Sequence, residues 1–284
     1  MNPEEINFIR DAVRFFEVPG AFTRVLSGLG SGVERALSKL PESVKASALK
    51  ASRKAIEASL TLAVKTIAPS AEKLEIFSIV EVSEKSRVSR NSHSAAAALS
   101  GGVGGVFGPL ALAIELPVST SLIMRSIAST ASDYGFDLKD PAVLLECLFV
   151  FAIGGPSKTD DGMDSSYISS RLAMASLLRN AASAMLGIPT KQLLLGVEHK
   201  SAPAVVRVVA AISEAFGVRV SQKFVAQLAP VIGVVGGAGI NLAFANFFGQ
   251  AAEYHFGIKR LESIYGADVV QAQYQSEVAL LKKI

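Results

Sequence analysis

Residues 101–130 read GGVGGVFGPLALAIELPVSTSLIMRSIAST. The stretch is glycine-rich and apolar, yet it holds Glu115, Pro117 and Arg125. A bilayer span, a buried core helix and the wall of a site could each be built this way. Glycine costs about 1 kcal/mol in a helix interior, so the cluster Gly101, Gly102, Gly104, Gly105 and Gly108 needs a packing reason. Small residues three or four apart cut a groove along a helix and let another backbone approach. The run 224–252, FVAQLAPVIGVVGGAGINLAFANFFGQAA, has the same texture, with Gly233, Gly236, Gly237 and Gly239. We expect the two segments to contact each other, as a hairpin or a crossed pair, with the first bent at Pro117. Residues 94–114 and 224–252 are uncharged and as long as a membrane span. Glycines, prolines, Asn241, Asn246 and Gln250 oppose insertion, and no aromatic belt marks the ends. A buried helical core in a soluble or peripheral protein is the expectation, with insertion as its competitor.

Outward from these segments the periodicity is helical nearly throughout. Asn2-Pro3 opens a helix to about residue 16. Further helices are expected at 22–39, 42–68 and 71–89. The helix at 42–68 is basic and alanine-rich, carrying Lys45, Lys50, Arg53, Lys54 and Lys65. A solvated face packed on a helical core explains it better than a membrane-surface helix, because its apolar face has no Phe or Trp. Tyr134-Gly135 reads as a helix stop. Asp140-Pro141 reads as a start, with Asp as N-cap and Pro in the first turn. GGPSKTDDGMDSS follows as a polar loop, then helices at 165–186, 190–198, 203–216, 220–228 and 268–283. The valine-rich pieces AVVRVVAAI and FGVRVSQ do not alternate long enough to be strands. The fold class is all-α, a multi-helix domain around the two glycine-rich segments. The division is an N-terminal extension at 1–40 and one helical domain at 41–284.

Composition narrows the function. Hydrophobic residues make up 50% of the 284-residue chain and charged residues 19%, which excludes general disorder. The net charge is +3, the basic residues are dispersed and Trp is absent, so nucleic acid is not an expected partner. Cys147 stands alone in LLECLFVFAIGG, which rules out an internal disulfide and a Cys/His zinc cluster. Gly102-Val103-Gly104-Gly105 is not GxGxxG and no P-loop lysine follows. Asp160, Asp161 and Asp164 lack the EF-hand spacing. No cofactor and no metal are expected. The N-terminus has acids at once and no apolar h-region, so a cytoplasmic location is expected.

Glu115 and Arg125 are ten residues apart, about 280° around a helix and about 15 Å along it, so they do not pair locally. A buried lone charge is costly, so each should find a partner in HFGIKRLESIYG or near it. The expected pairs are Glu115 with His255 or Arg260, and Arg125 with Glu146 or Glu262. Glu115, Thr120, Arg125, Asn241, His255 and Arg260 form the candidate polar cluster, either structural or ligand-holding.

The pattern ELPVST…MRSIA…YGFDLKDP, followed by APVIGVVGGAGINLAFANFFGQAAEYHFGIKRLESIYG, resembles the EcsC protein family over about residues 40–270. The motif falls on Glu115, Pro117, Thr120, Arg125, Tyr134, Gly135 and Asp140, then on Gly237, Asn241, Phe244, His255, Arg260 and Gly266. The family is named for a bacterial protein encoded beside an ABC transporter. The resemblance implies a helical fold, a bacterial source and a membrane-linked role, and it assigns no catalytic residue. The resulting expectation is a non-enzymatic, membrane-associated protein, peripheral to the inner membrane, whose partner is a lipid or a transporter-type membrane protein. The alternatives are a hydrolase with Glu115 or His255 as general base and Arg125 stabilising an anion, and a scaffold or assembly factor.

Overall fold

A computed structural model describes residues 1–18, 41–66, 78–79, 81–84, 109–153, 166–186, 203–228 and 236–283. Among them every regular element is helical and there is no strand. The helices are α1 (Pro3–Glu17), α2 (Glu42–Thr66), α3 (Pro109–Asp133), α4 (Pro141–Phe149), α5 (Ser166–Met185), α6 (Pro203–Leu228), α7 (Gly236–Tyr265) and α8 (Ala267–Leu281). A 3-10 turn, Val150–Ala152, extends α4. The all-α class is therefore that of the structure. The expected helices at 22–39 and 190–198, most of the one at 71–89, and the polar loop at 154–165 lie outside the described residues.

Local chemistry sets the helix ends. Asn2 accepts the Glu5 backbone N–H at 2.9 Å, and the Glu5 carboxylate accepts the Asn2 N–H at 2.7 Å, a capping box that starts α1. Asp140 Oδ1 accepts the Ala142 N–H at 2.8 Å and Pro141 fills the first turn of α4. α3 stops where Gly135 takes φ 85°. There the Phe136 N–H reaches the Ala131 carbonyl and the Gly135 N–H reaches that of Ser132, a Schellman closure. α3 itself passes Pro117 without a break in the helix.

One expectation needs correction. The helices expected at 203–216 and 220–228 are one helix, α6. Gly217 does not end it. A Cβ built there would lie 3.6 Å from the Leu49 Cα and 3.7 Å from the Ser52 Oγ, so this glycine sits where α6 crosses α2. Of the run 224–252, residues 224–228 belong to α6 and residues 236–252 to α7.

α2 packs between α6 and α3, and α3 packs in turn on α7. The apolar face of α2, Ala48, Ala51, Ala55, Ile56 and Leu60, is buried, while Lys45, Lys50 and Lys54 are exposed. α4 and its 3-10 turn run through the interior, with Leu145, Cys147, Leu148, Phe149, Val150 and Phe151 all fully buried. Phe151 packs edge-on to Phe216 at 5.1 Å, and Phe216, Phe244 and Phe248 complete an aromatic cluster. Each such ring stabilises the fold by about 1.5–3 kcal/mol. α1 joins the same core through Ile9, Ala12, Val13 and Phe16 and packs on α8 and α7. Among the described residues no helix is long and apolar enough to cross a membrane. Most of the segment 94–114 lies outside them.

Candidate functional site

On a helix, residues four and seven apart share a face. α7 presents His255, Lys259 and Glu262 in that spacing, and α5 presents Tyr167 and Arg171. The two faces meet, with Glu146 of α4 between them. His255 is central and 0% exposed. Its Nε2 lies 3.0 Å from Glu146 Oε2, and its Nδ1 lies 3.0 Å from the Tyr167 hydroxyl. Lys259 Nζ donates to Glu146 Oε1 at 2.8 Å. One turn on, Arg171 grips Glu262 with both Nη atoms, at 2.6 and 2.8 Å. This fork is the strong, geometrically selective form of an ion pair.

Proton positions follow from burial. Burial pushes the His255 imidazole below its ordinary value, and that outweighs the pull of Glu146. Burial likewise raises the Tyr167 hydroxyl above its ordinary value. For the Glu146 carboxyl burial acts upward, but the hydrogen bonds from His255 and Lys259, with the Lys259 charge, exceed it and hold the group below the usual carboxylate range. The relay therefore consists of a protonated Tyr167 donating to His255 Nδ1, and a neutral His255 donating from Nε2 to an ionised Glu146.

Behind the relay, Phe16 stacks on the Tyr167 ring at 4.3 Å with an interplanar angle of 2°. Glu17 accepts the Tyr167 backbone N–H at 3.2 Å, at the start of α5, and the Tyr274 hydroxyl at 2.8 Å. Arg10 bonds Glu277 at 2.8 Å, and Tyr265 donates to Glu5 at 3.0 Å. α1 and α8 are thus clamped together over α5 and α7.

In front of the relay is a cleft of about 600 Å³. α5 forms its apolar wall with Ile168, Leu172, Ala175, Leu178, Ala182 and Leu186. Glu146, Phe149, Arg171 and Glu262 line its inner part, and Asp140, Arg179, Ala267 and Gln271 also face it. Leu172 and Leu186 are 65% and 66% exposed.

The family model described as the EcsC protein family matches residues 19–261. The chain belongs to the EcsC protein family. No curated protein and no solved structure matches it. The EcsC match begins at residue 19, ahead of residue 40, and stops at 261, short of 270. It contains Glu146, Tyr167, Arg171, His255 and Lys259. α1 precedes it and α8 follows it, so the clamp behind the relay is built from helices outside the EcsC match.

The six candidate residues do not form one cluster. His255 is at the centre of the relay. Asn241 is buried on the same continuous helix, fourteen residues earlier and therefore about 21 Å away along its axis. Thr120 is fully buried on α3, and among the described residues its Oγ1 has no hydrogen-bond partner. Arg260 is half-buried on α7 beside Lys259. The Glu115 side chain lies outside the described residues. Arg125 is exposed, and the pairs expected for it are not formed. Glu146 is held by His255 and Lys259, and Glu262 by Arg171. Water satisfies a charge that points outward, so Arg125 needs no such partner. Sequence reasoning missed Tyr167 and Arg171 altogether. Their spacing of four, on a helix that also carries a leucine stripe, was the available signal. Among the described residues no group of His, Cys, Asp and Glu could hold a metal ion.

Proposed function

We propose that this EcsC protein is a non-enzymatic lipid-binding protein that works at a membrane surface, with the cleft between α4, α5 and the α7–α8 junction as its ligand site. The observation that carries this is the cleft itself. Its volume lies within the range of small-molecule sites, and it has an apolar wall along α5 with a few polar groups around it. Leu172 and Leu186 leave that wall uncovered, which an amphipathic ligand would correct. Lys45, Lys50 and Lys54 on α2 offer an electrostatic contact to anionic lipid without insertion, since the apolar face of that helix is already buried.

A hydrolase acting through His255 is the weaker reading. Both ring nitrogens are engaged and the ring is sealed from the cleft side by Glu146. Glu146 does face the cleft, but a carboxylate held below the usual range is a poor proton acceptor at neutral pH. The test is solvent extraction of the protein purified without detergent from expressing cells, followed by lipid mass spectrometry. Stoichiometric recovery of one lipid class is expected. A ligand-free protein that also fails to bind liposomes would overturn the proposal and favour a scaffold.

A further inference from the structure

The charge arrangement of the cleft points to a ligand class. This step rests on the lipid-binding reading above. In the inner part every charge is already answered: Glu146 by Lys259 and His255, and Glu262 by the two-pronged Arg171. At the rim, Asp140 turns Oδ1 into the first turn of its own helix. Arg179 is different. It lines the cleft from an exposed position on α5, and among the described residues no carboxylate pairs with it. Leu172, Ala175, Arg179, Ala182 and Leu186 follow each other at spacings of three and four, so the guanidinium rises from within the apolar stripe. The stripe is about 21 Å long. One leaflet of a bilayer, and hence one acyl chain, spans about 15 Å of hydrocarbon.

We infer that the cleft takes a long-chain fatty acid, its carboxylate on Arg179 and its single chain along α5. One guanidinium with no carboxylate paired to it among the described residues matches one monoanionic, planar, bidentate head. Glu146 and Glu262 are already paired, so neither is free to hold the cation of a zwitterionic headgroup. A two-chain phospholipid would need a second continuous apolar wall, and on the α4 and α7–α8 sides Glu146, Glu262 and Gln271 interrupt Ala142, Phe149 and Ala267.

The experiment is a fluorescence titration of the full-length protein with a conjugated polyene fatty acid, its methyl ester, and a lysophosphatidylcholine competitor. It is run on wild type, Arg179→Gln and Ala175→Trp. The acid should bind wild type, the ester more weakly, and lysophosphatidylcholine should displace the acid poorly. Arg179→Gln should weaken the acid about tenfold, the loss of one charge-assisted contact, and leave the ester unchanged. Ala175→Trp should abolish binding of both by filling the cleft, with circular dichroism confirming that the fold is intact. Equal binding of acid and ester, insensitivity to Arg179→Gln, or efficient displacement by lysophosphatidylcholine overturns the fatty-acid assignment and leaves the cleft as the lipid site. Binding that survives Ala175→Trp, or no binding of any probe to wild type, overturns the lipid-binding reading itself.

Discussion

Replacing Tyr167 with Phe removes one oxygen from the centre of the molecule and little else. The ring keeps its stack on Phe16 at 4.3 Å and its place beneath the Arg171 guanidinium at 5.5 Å. What is lost is the donor to His255 Nδ1, at a position where Tyr167 is 1% and His255 0% exposed. No water reaches the abandoned nitrogen, so the cost is that of an unsatisfied buried acceptor, about 1–3 kcal/mol. At about 2–4 °C per kcal/mol for a chain of this size class, the melting temperature should fall by about 2–12 °C. Urea denaturation monitored by circular dichroism gives the free energy directly. In a His255→Leu background the same substitution should cost nothing or stabilise, because it then removes a hydroxyl that has already lost its acceptor. A Tyr167→Phe protein as stable as wild type, or equal costs in both backgrounds, would refute the relay.

The pH dependence of stability has a definite sign. The folded His255 pKa lies below its ordinary 6.5, so below that pH the unfolded chain binds the proton that the folded one refuses. Stability should be flat above pH 6.5 and fall on acidification at up to about 1.4 kcal/mol per pH unit, with Glu146 adding a further loss as pH drops through its own lowered value. A melting temperature that rises between pH 6.5 and 5 would mean that His255 is charged in the fold. Two glycines should respond oppositely to alanine. Gly217→Ala meets ordinary contact distances at Leu49 and Ser52 and should stabilise by about 0.5–1 kcal/mol through helix propensity. Gly257→Ala drives a methyl into the Phe8 ring and should destabilise by about 1 kcal/mol or more, with faster proteolysis at α1. Equal effects would mean that the crossings are wrongly placed.

Local features of this chain were legible from sequence because their causes are local. Asn2-Pro3, Tyr134-Gly135 and Asp140-Pro141 carry their caps within a few residues, and each marks a real helix end. The break expected between residues 216 and 220 does not occur, because Gly217 serves a crossing with Leu49 and Ser52, far away in sequence. A glycine that stops a helix and a glycine that admits another helix look alike in one chain. Of the candidate site, His255 was legible as a site residue, and Glu146 and Glu262 only as partners for Arg125, which they do not pair with. The true partner of His255, Glu146, is 109 residues away, and Tyr167 is 88 away. Neither distance leaves a periodic trace. Arg125 drew attention because it interrupts an apolar run, but composition does not say which face of α3 is turned outward.

The most direct test of the ligand cleft is hydrogen–deuterium exchange of the full-length protein with and without a saturating long-chain fatty acid. The account predicts slower exchange in peptides from α4 and α5, around Glu146 and between Leu172 and Leu186, with the α2–α6 crossing unchanged. Exchange that is unaltered along α5, or protection confined to α2 and α6, would contradict it.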